Sequence, residues 1–167
     1  MHASSAAPSV ANTVYRATPM TRASRIRATC IRWAGAGFDR ADLCGRVKSH
    51  FSTARTGDGT WIGAHSETAP RPSAYVAIGS NYDISQDVYF TTGSHRIDGT
   101  LRRTGAGFLR RIEVRERSRR SARTTLLGTK LGRGGIVPTH FLVKGEFPDS
   151  VIIAGGPARI VKPLDDA

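Results

Sequence analysis

Only two cysteines, Cys30 and Cys44, occur in the 167 residues. Two are too few for a disulfide framework, and their separation matches neither a CxxC unit nor a zinc ligand set. They read as reduced thiols. Aromatic residues are scarce, at 7%, so a large aromatic-filled core is not expected. No apolar run reaches the length of about 18 residues that a transmembrane helix needs. The opening stretch, MHASSAAPSVANTVYRATPM, lacks a charged segment followed by an apolar one. No signal peptide is read from it, and a cytoplasmic protein is expected. Carboxylates are few: Asp plus Glu number 13 against 25 Lys plus Arg, a formal net charge of +12. That balance attracts polyanions such as nucleic acid, acidic polysaccharide, a phosphorylated cofactor or a membrane surface. It speaks to association and says nothing about fold.

Glycine is plentiful, at 18 residues, as repeated β architecture with tight corners requires. Residues 1–12 are small and polar and read as a disordered tail. Residues 13–42 read as a short basic helical segment, with Ile26, Cys30, Ile31 and Trp33 as its apolar side and glycines Gly35 and Gly37 near its end. A repeat follows. Thr56, Ile62 and Thr68 stand six apart, as do Ile78, Ile84 and Phe90. Each unit of the second group continues with a small residue (Gly79, Ser85, Thr91) and has a middling one in its fifth slot (Tyr82, Val88, Ser94). The pattern resumes as Val114, Arg120, Leu126, Leu131, Val137 and Val143, with one step, Leu126 to Leu131, a residue short.

A period of six is neither the helical 3.6 nor strand alternation. It is the hexapeptide period of a parallel β-helix. Each hexad forms one flat side, three sides make a coil, and the first residue of each hexad points into the prism. The predicted fold is therefore all-β: a parallel β-helix over 43–163, a short N-terminal helical segment and a tail at 164–167.

Several stretches carry a resemblance. TTGSHRIDGTLRRTGAGFLRRIEV and LGRGGIVPTHFLVKGEFPDSVIIAGGPARIVKP resemble the histidine motif and the closing signature of the left-handed β-helix O-acetyltransferases of the maltose, galactoside and nodulation type. The resemblance covers roughly 56–163. It implies a left-handed helix, one protruding loop over 96–111 that helps close the cleft, a homotrimer with active sites between subunits, acetyl-CoA as acyl donor, a sugar or polysaccharide-precursor hydroxyl as acceptor, and no metal.

By the resemblance His95 is the catalytic base. A hydroxyl is a poor nucleophile at neutral pH, and an imidazole can take its proton as the thioester is attacked. Arg159 and Lys162, in GGPARIVKP, match the basic pair that approaches the phosphates of coenzyme A; a guanidinium forks onto phosphate oxygens and a lysine adds a mobile charge. His65 stands where relatives carry an acceptor-binding asparagine. Asp98, in HRID, either serves the acceptor or closes its loop. Ser73 stands where some relatives have an aspartate. His140 reads as surface packing, and His2 and His50 carry no signal. The histidine spacing does not support a zinc site.

The stretch VRERSRRSARTTLLGTK departs from the family pattern. Arg115 and Ser121 replace glycines, Arg119 replaces a tryptophan, Arg111 replaces a proline, and Arg120 falls in a core-facing slot. An unpaired guanidinium there would cost several kcal/mol, so either Glu113 or Glu116 pairs with it or the rung flares open. The short step must be absorbed at a corner, because a one-residue slip exchanges the two faces of a strand. An alternative reading follows: a catalytically impaired β-helix that binds a polyanion or partner through Arg115, Arg117, Arg119, Arg120 and Arg123. Nucleic acid is not favoured, since no aromatics interleave with those arginines.

Overall fold

The computed structural model describes residues 26, 29, 37–38, 42–43, 48–49, 54–69 and 73–165. The N-terminal tail, most of the helical segment and both cysteines lie outside them. Ile26 and Thr29 are helical and exposed.

The described chain winds as a three-sided, left-handed parallel β-helix. Face A stacks Gly37–Phe38, Ala54–Thr56, Val76–Ile78 and Ile112–Val114 in parallel. Face B stacks Asp42–Leu43, Trp61–Ile62, Asp83–Ile84, Arg119–Arg120 and Ile136–Val137. Face C stacks Lys48–Ser49, Glu67–Ala69 and Tyr89–Thr91, and then meets the start of Thr125–Leu131. The strands Thr125–Leu131 and Leu142–Phe147 run round a corner, so each serves face C with its first half and face A with its second. Pairing already begins at Gly37–Phe38, ahead of the start at 43 that the sequence suggested.

The hexad reading holds in the core. Thr56, Ile62, Thr68, Ile78, Ile84, Phe90, Val114, Leu126, Leu131, Val137 and Val143 are all buried. Once per flat side an inward residue meets its counterparts in the coils above and below, which removes the apolar column from water. The fifth slots that stay in the prism are buried too: Tyr82 and Val88 are fully enclosed, whereas Ser94 is half-buried on the hairpin strand that leaves it. Where that slot is Thr or Ser, its hydroxyl bonds a carbonyl of the next coil. Thr60 donates to the Gly79 carbonyl at 2.8 Å, Ser66 to that of Ser85 at 3.1 Å and Thr124 to that of Pro138 at 3.1 Å.

The short step is absorbed where expected. The register between Thr125–Leu131 and Leu142–Phe147 shifts between Leu126 and Thr129, and Gly128 at that corner has φ +52°. Leu126 and Leu131 thereby both stay inward. The other two corners require left-handed backbone in each coil. Asn81, Arg117 and Ser150 supply it at the A–B corner, and His65, Asp87, Arg123 and His140 at the B–C corner. Asn and Asp tolerate this region; the bulkier residues adopt it at some cost. Arg117 and Arg123 are thus corner residues.

Register places Arg120 between Ile84 and Val137. The two glutamates considered as its partners hold other arginines: Glu113 pairs with Arg111 at 2.9 Å and Glu116 with Arg133 at 2.8 Å. The arginines of the alternative patch follow one rung along face B and its two corners. Arg115 and Arg117 lie at the A–B corner, Arg119 on face B and Arg123 at the B–C corner. Arg115 stands 4.0 Å from Asp149, and Arg123 stands 3.8 Å from Asp87.

Candidate active site

After face C of the coil 76–91 the chain leaves the prism as an antiparallel hairpin. Its strands are Gly93–Ile97 and Thr104–Leu109. The excursion starts three residues before the loop that the sequence suggested, so His95 stands on a hairpin strand. It is seated by pairing with the opposite strand, where His95 faces Gly107. A methyl group at Gly107 would lie 3.7 Å from both Cδ2 and Nε2 of His95. The imidazole edge therefore lies beside a bare stretch of backbone, and the glycine leaves Nε2 uncovered. Tyr89, Thr91, Gly93, Ser94, Phe108 and Leu109 complete the walls of an open cleft of about 430 Å³. His95 is exposed, and among the described residues no carboxylate forms an ion pair with it.

Asp98 closes the hairpin turn. Its carboxylate accepts the Gly99 N–H at 2.8 Å, and its own N–H donates to the Arg103 carbonyl at 3.1 Å. This is the local loop-closing arrangement short carboxylates favour.

His65 lies elsewhere, at the B–C corner of the coil 54–69. Its Nδ1 is 3.4 Å from Asp87 of the next coil, and Arg123 approaches the other oxygen of the same carboxylate. His140 occupies the equivalent corner further along and is exposed. Ser73 lines a separate open groove of about 510 Å³ with Tyr75, Arg110, Arg111 and Lys130.

Arg159 and Lys162 lie on the last strand, Ala158–Pro163. It turns back after a cis Gly156–Pro157 bond and runs antiparallel to Val151–Gly155. Arg159 is opposite Ala154 and Lys162 opposite Ile152, both exposed at the edge of face B. Neither forms an ion pair with a described residue. A single chain does not unite these cations with His95: they stand at its last coil on face B, and the imidazole leaves an earlier coil from face C. Among the described residues no group of His, Cys, Asp and Glu is arranged to hold a metal.

Sequence reasoning missed Gly107, Phe108 and Tyr89 as walls of the cleft. A signal existed only for Gly107, through the pairing that a hairpin turn near Asp98–Gly99 would impose.

The same three-sided winding recurs in solved proteins. The fold is that of the hexapeptide-repeat acetyltransferases. A hexapeptide-repeat acetyltransferase of Vibrio cholerae O1 biovar eltor, solved with acetyl-coenzyme A, superposes with a TM-score of 0.77 at 23% identity, over 98% of this chain and 92% of its own. A maltose O-acetyltransferase of Clostridium difficile 630 gives 0.75 at 14% identity, over 95% and 86%. In sequence, the galactoside O-acetyltransferase of Lactococcus lactis subsp. lactis strain IL1403 is 23% identical over 93 residues, 55% of this chain. The match spans 45% of that protein's length. No protein-family model matches the chain. The hexapeptide-repeat fold accounts for the column and the corners. No helix among the described residues is long and apolar enough to cross a membrane.

Proposed function

We propose that the chain is an acetyl-CoA-dependent O-acetyltransferase acting on a hydroxyl of a sugar or polysaccharide precursor. The observation that carries this reading is the exposed imidazole beside Gly107, at the mouth of a cleft, in a fold whose solved neighbours include acetyltransferases, one of them holding acetyl-coenzyme A. The galactoside and maltose enzymes among its relatives support a sugar acceptor.

In this mechanism the acceptor O–H lies against Nε2 of His95. As the oxygen attacks the thioester carbonyl carbon, Nε2 takes its proton, which removes the cost of forming a free alkoxide. The C–S bond then breaks, and the departing thiolate of coenzyme A takes the proton back from the imidazolium. The products are an acetyl ester and a free thiol. General base catalysis of this kind contributes about 10²–10⁴-fold.

Arg159 and Lys162 are the cations for the coenzyme A phosphates. Because they and His95 stand on different faces, a donor that touches all three needs two chains, and a homotrimer would supply that arrangement at each cleft. His65 and Asp98 remain the acceptor-side assignments, His65 through its exposed ring and Asp98 by shaping the turn beyond His95. The proposed steps call for no metal, and a cytoplasmic setting would supply the acyl donor.

The test is thiol release from acetyl-CoA over a panel of sugars, followed with a disulfide dye. His95→Ala should lower the rate at least 100-fold while leaving the thermal midpoint unchanged. Mixing His95→Ala chains with Arg159→Ala/Lys162→Ala chains should restore part of the activity if the site is shared. A His95→Ala protein that still turns over at the original rate removes the base assignment.

A further inference from the structure

The segment that carries His95 has a second property that acetyl transfer alone does not require. Residues 93–111 contain five arginines and one carboxylate, Asp98. Asp98 is engaged by its own turn. Two of the arginines have partners: Arg111 pairs with Glu113 at 2.9 Å, and the Arg110 guanidinium lies 5.5 Å from the centre of the Phe108 ring. Arg96, Arg102 and Arg103 are exposed and form no ion pair with any described residue. The cations of the neighbouring coils are mixed: Arg117 and Arg119 are likewise exposed with no ion pair to a described residue. Arg115, Arg123, Lys130 and Arg133 each stand against a carboxylate, namely Asp149, Asp87, Glu146 and Glu116.

The placement of the three arginines follows from the hairpin. Arg96 is next to His95 in the chain. Arg103 precedes Thr104, which pairs with Ile97, two residues beyond His95. At a strand rise of about 3.3 Å per residue, Arg102 and Arg103 stand roughly 10 Å along the arm from the imidazole. The hairpin beyond the open cleft thus carries three exposed positive charges that no ion pair holds.

We propose that Arg96, Arg102 and Arg103 form an electrostatic arm that draws an anionic glycan chain, bearing carboxylate or phosphate groups, across His95. The proposal rests on the acyl-transfer reading above and narrows its acceptor class. A guanidinium forks onto either anion. One exposed contact is weak, but a row of like charges concentrates and orients a ligand that carries several opposite ones. The open cleft beside Tyr89 and Phe108 admits one unit of such a chain while the rest lies along the arm. Nucleic acid fits less well. Phe108 is the single aromatic of residues 93–111, and Arg110 already lies over its ring, so the arm offers bases no free stacking platform.

The probe is end-labelled oligogalacturonate, compared with the same oligomer after methyl esterification, which removes its charge and keeps its length. Binding to the full chain is followed by fluorescence anisotropy at low and moderate salt, without acyl donor. The acid form should bind and the ester should not. Arg102→Gln/Arg103→Gln should weaken binding of the acid roughly tenfold at low salt, the lower end of what charge focusing supplies, with the difference shrinking as salt rises. Arg102→Lys/Arg103→Lys should recover most of the loss. Arg117→Gln/Arg119→Gln, an equal change of charge on the prism, should have a much smaller effect.

Equal losses from the hairpin pair and the prism pair would mean that net charge alone binds the oligomer, and would overturn the proposal. So would equal binding of acid and ester, or tighter binding of single-stranded DNA of matched charge. The two readings fail separately. Retained arm-dependent binding with no thiol release on any acceptor removes the acyl-transfer reading. Acetyl transfer that treats acid and ester alike removes the anionic acceptor.

Discussion

Gly79→Ala tests the coil geometry directly. Gly79 occupies the second slot of its hexad, and a methyl group there would lie 2.6 Å from the backbone nitrogen of Glu116 and 2.9 Å from the carbonyl carbon of Arg115. Both atoms belong to the next coil, so rotating a side chain gives no relief. The Gly79 N–H donates to the Val114 carbonyl at 2.7 Å across the same gap. Moving the methyl to ordinary contact would open the gap by roughly 0.8 Å and stretch that bond to about 3.5 Å, the edge of hydrogen bonding. Overpacking costs about 1–3 kcal/mol, and a weakened hydrogen bond adds about 0.5–1.5 kcal/mol. Reduced freedom of the unfolded chain returns about 0.4–1 kcal/mol. The net loss is about 0.5–4 kcal/mol, and at roughly 2–4 °C per kcal/mol for a chain of this size the thermal midpoint should fall by several degrees. Gly99→Ala is the control, since a methyl there meets nothing within 4 Å. Thermal melts followed by far-ultraviolet circular dichroism measure both. Coincident midpoints for the two variants would refute the claim that second slots are small because adjacent coils touch there.

Thr56→Val should stabilise the chain by about 1 kcal/mol, read from the same melts, because the buried Thr56 Oγ1 has no hydrogen-bond partner among the described residues and a methyl of equal size removes its desolvation cost. Gly107→Val should cut kcat/KM for thiol release at least tenfold with little change in melting, since its side chain would grow from a point 3.7 Å from the Nε2 of His95; unaltered turnover would mean that the acceptor reaches the imidazole from another side. The carboxyl of Glu116 is held below the ordinary glutamate range, first by a bond from its own backbone N–H and then by the Arg133 and Arg115 guanidiniums. A folded-state value below the unfolded one adds stability that is complete above the ordinary carboxylate range, about pH 4–5, and is lost as pH falls through the folded value. Glu116→Gln should therefore flatten the acid limb of the stability curve below about pH 4.5, as urea midpoints against pH will show.

The core column was legible because it is a local rule repeated. Ile78, Ile84 and Phe90 announce their burial by spacing alone. The missing residue between Leu126 and Leu131 was also visible, and so was the need for a corner to absorb it. Arg120 was legible as an anomaly, since its slot follows from the spacing; Glu113 and Glu116 could not be ruled out as partners without the ion pairs that occupy them. His95 stood out by its motif. Its surroundings did not, because Gly107 and Leu109 reach the cleft only through the pairing of the hairpin strands.

The amino-acid order by itself determined that the chain winds in three-sided coils. A flat side of six residues admits one apolar side chain inward, and each hexad states that requirement without reference to the others. Only the tertiary structure decided what faces outward together: His65 with Asp87, Glu116 with Arg133, His95 over Gly107, and Arg159 and Lys162 on another face from the imidazole. Those neighbours lie in different coils or opposite strands, and their alignment depends on the summed length of every corner, insertion and short step between them. No window of the sequence contains that sum.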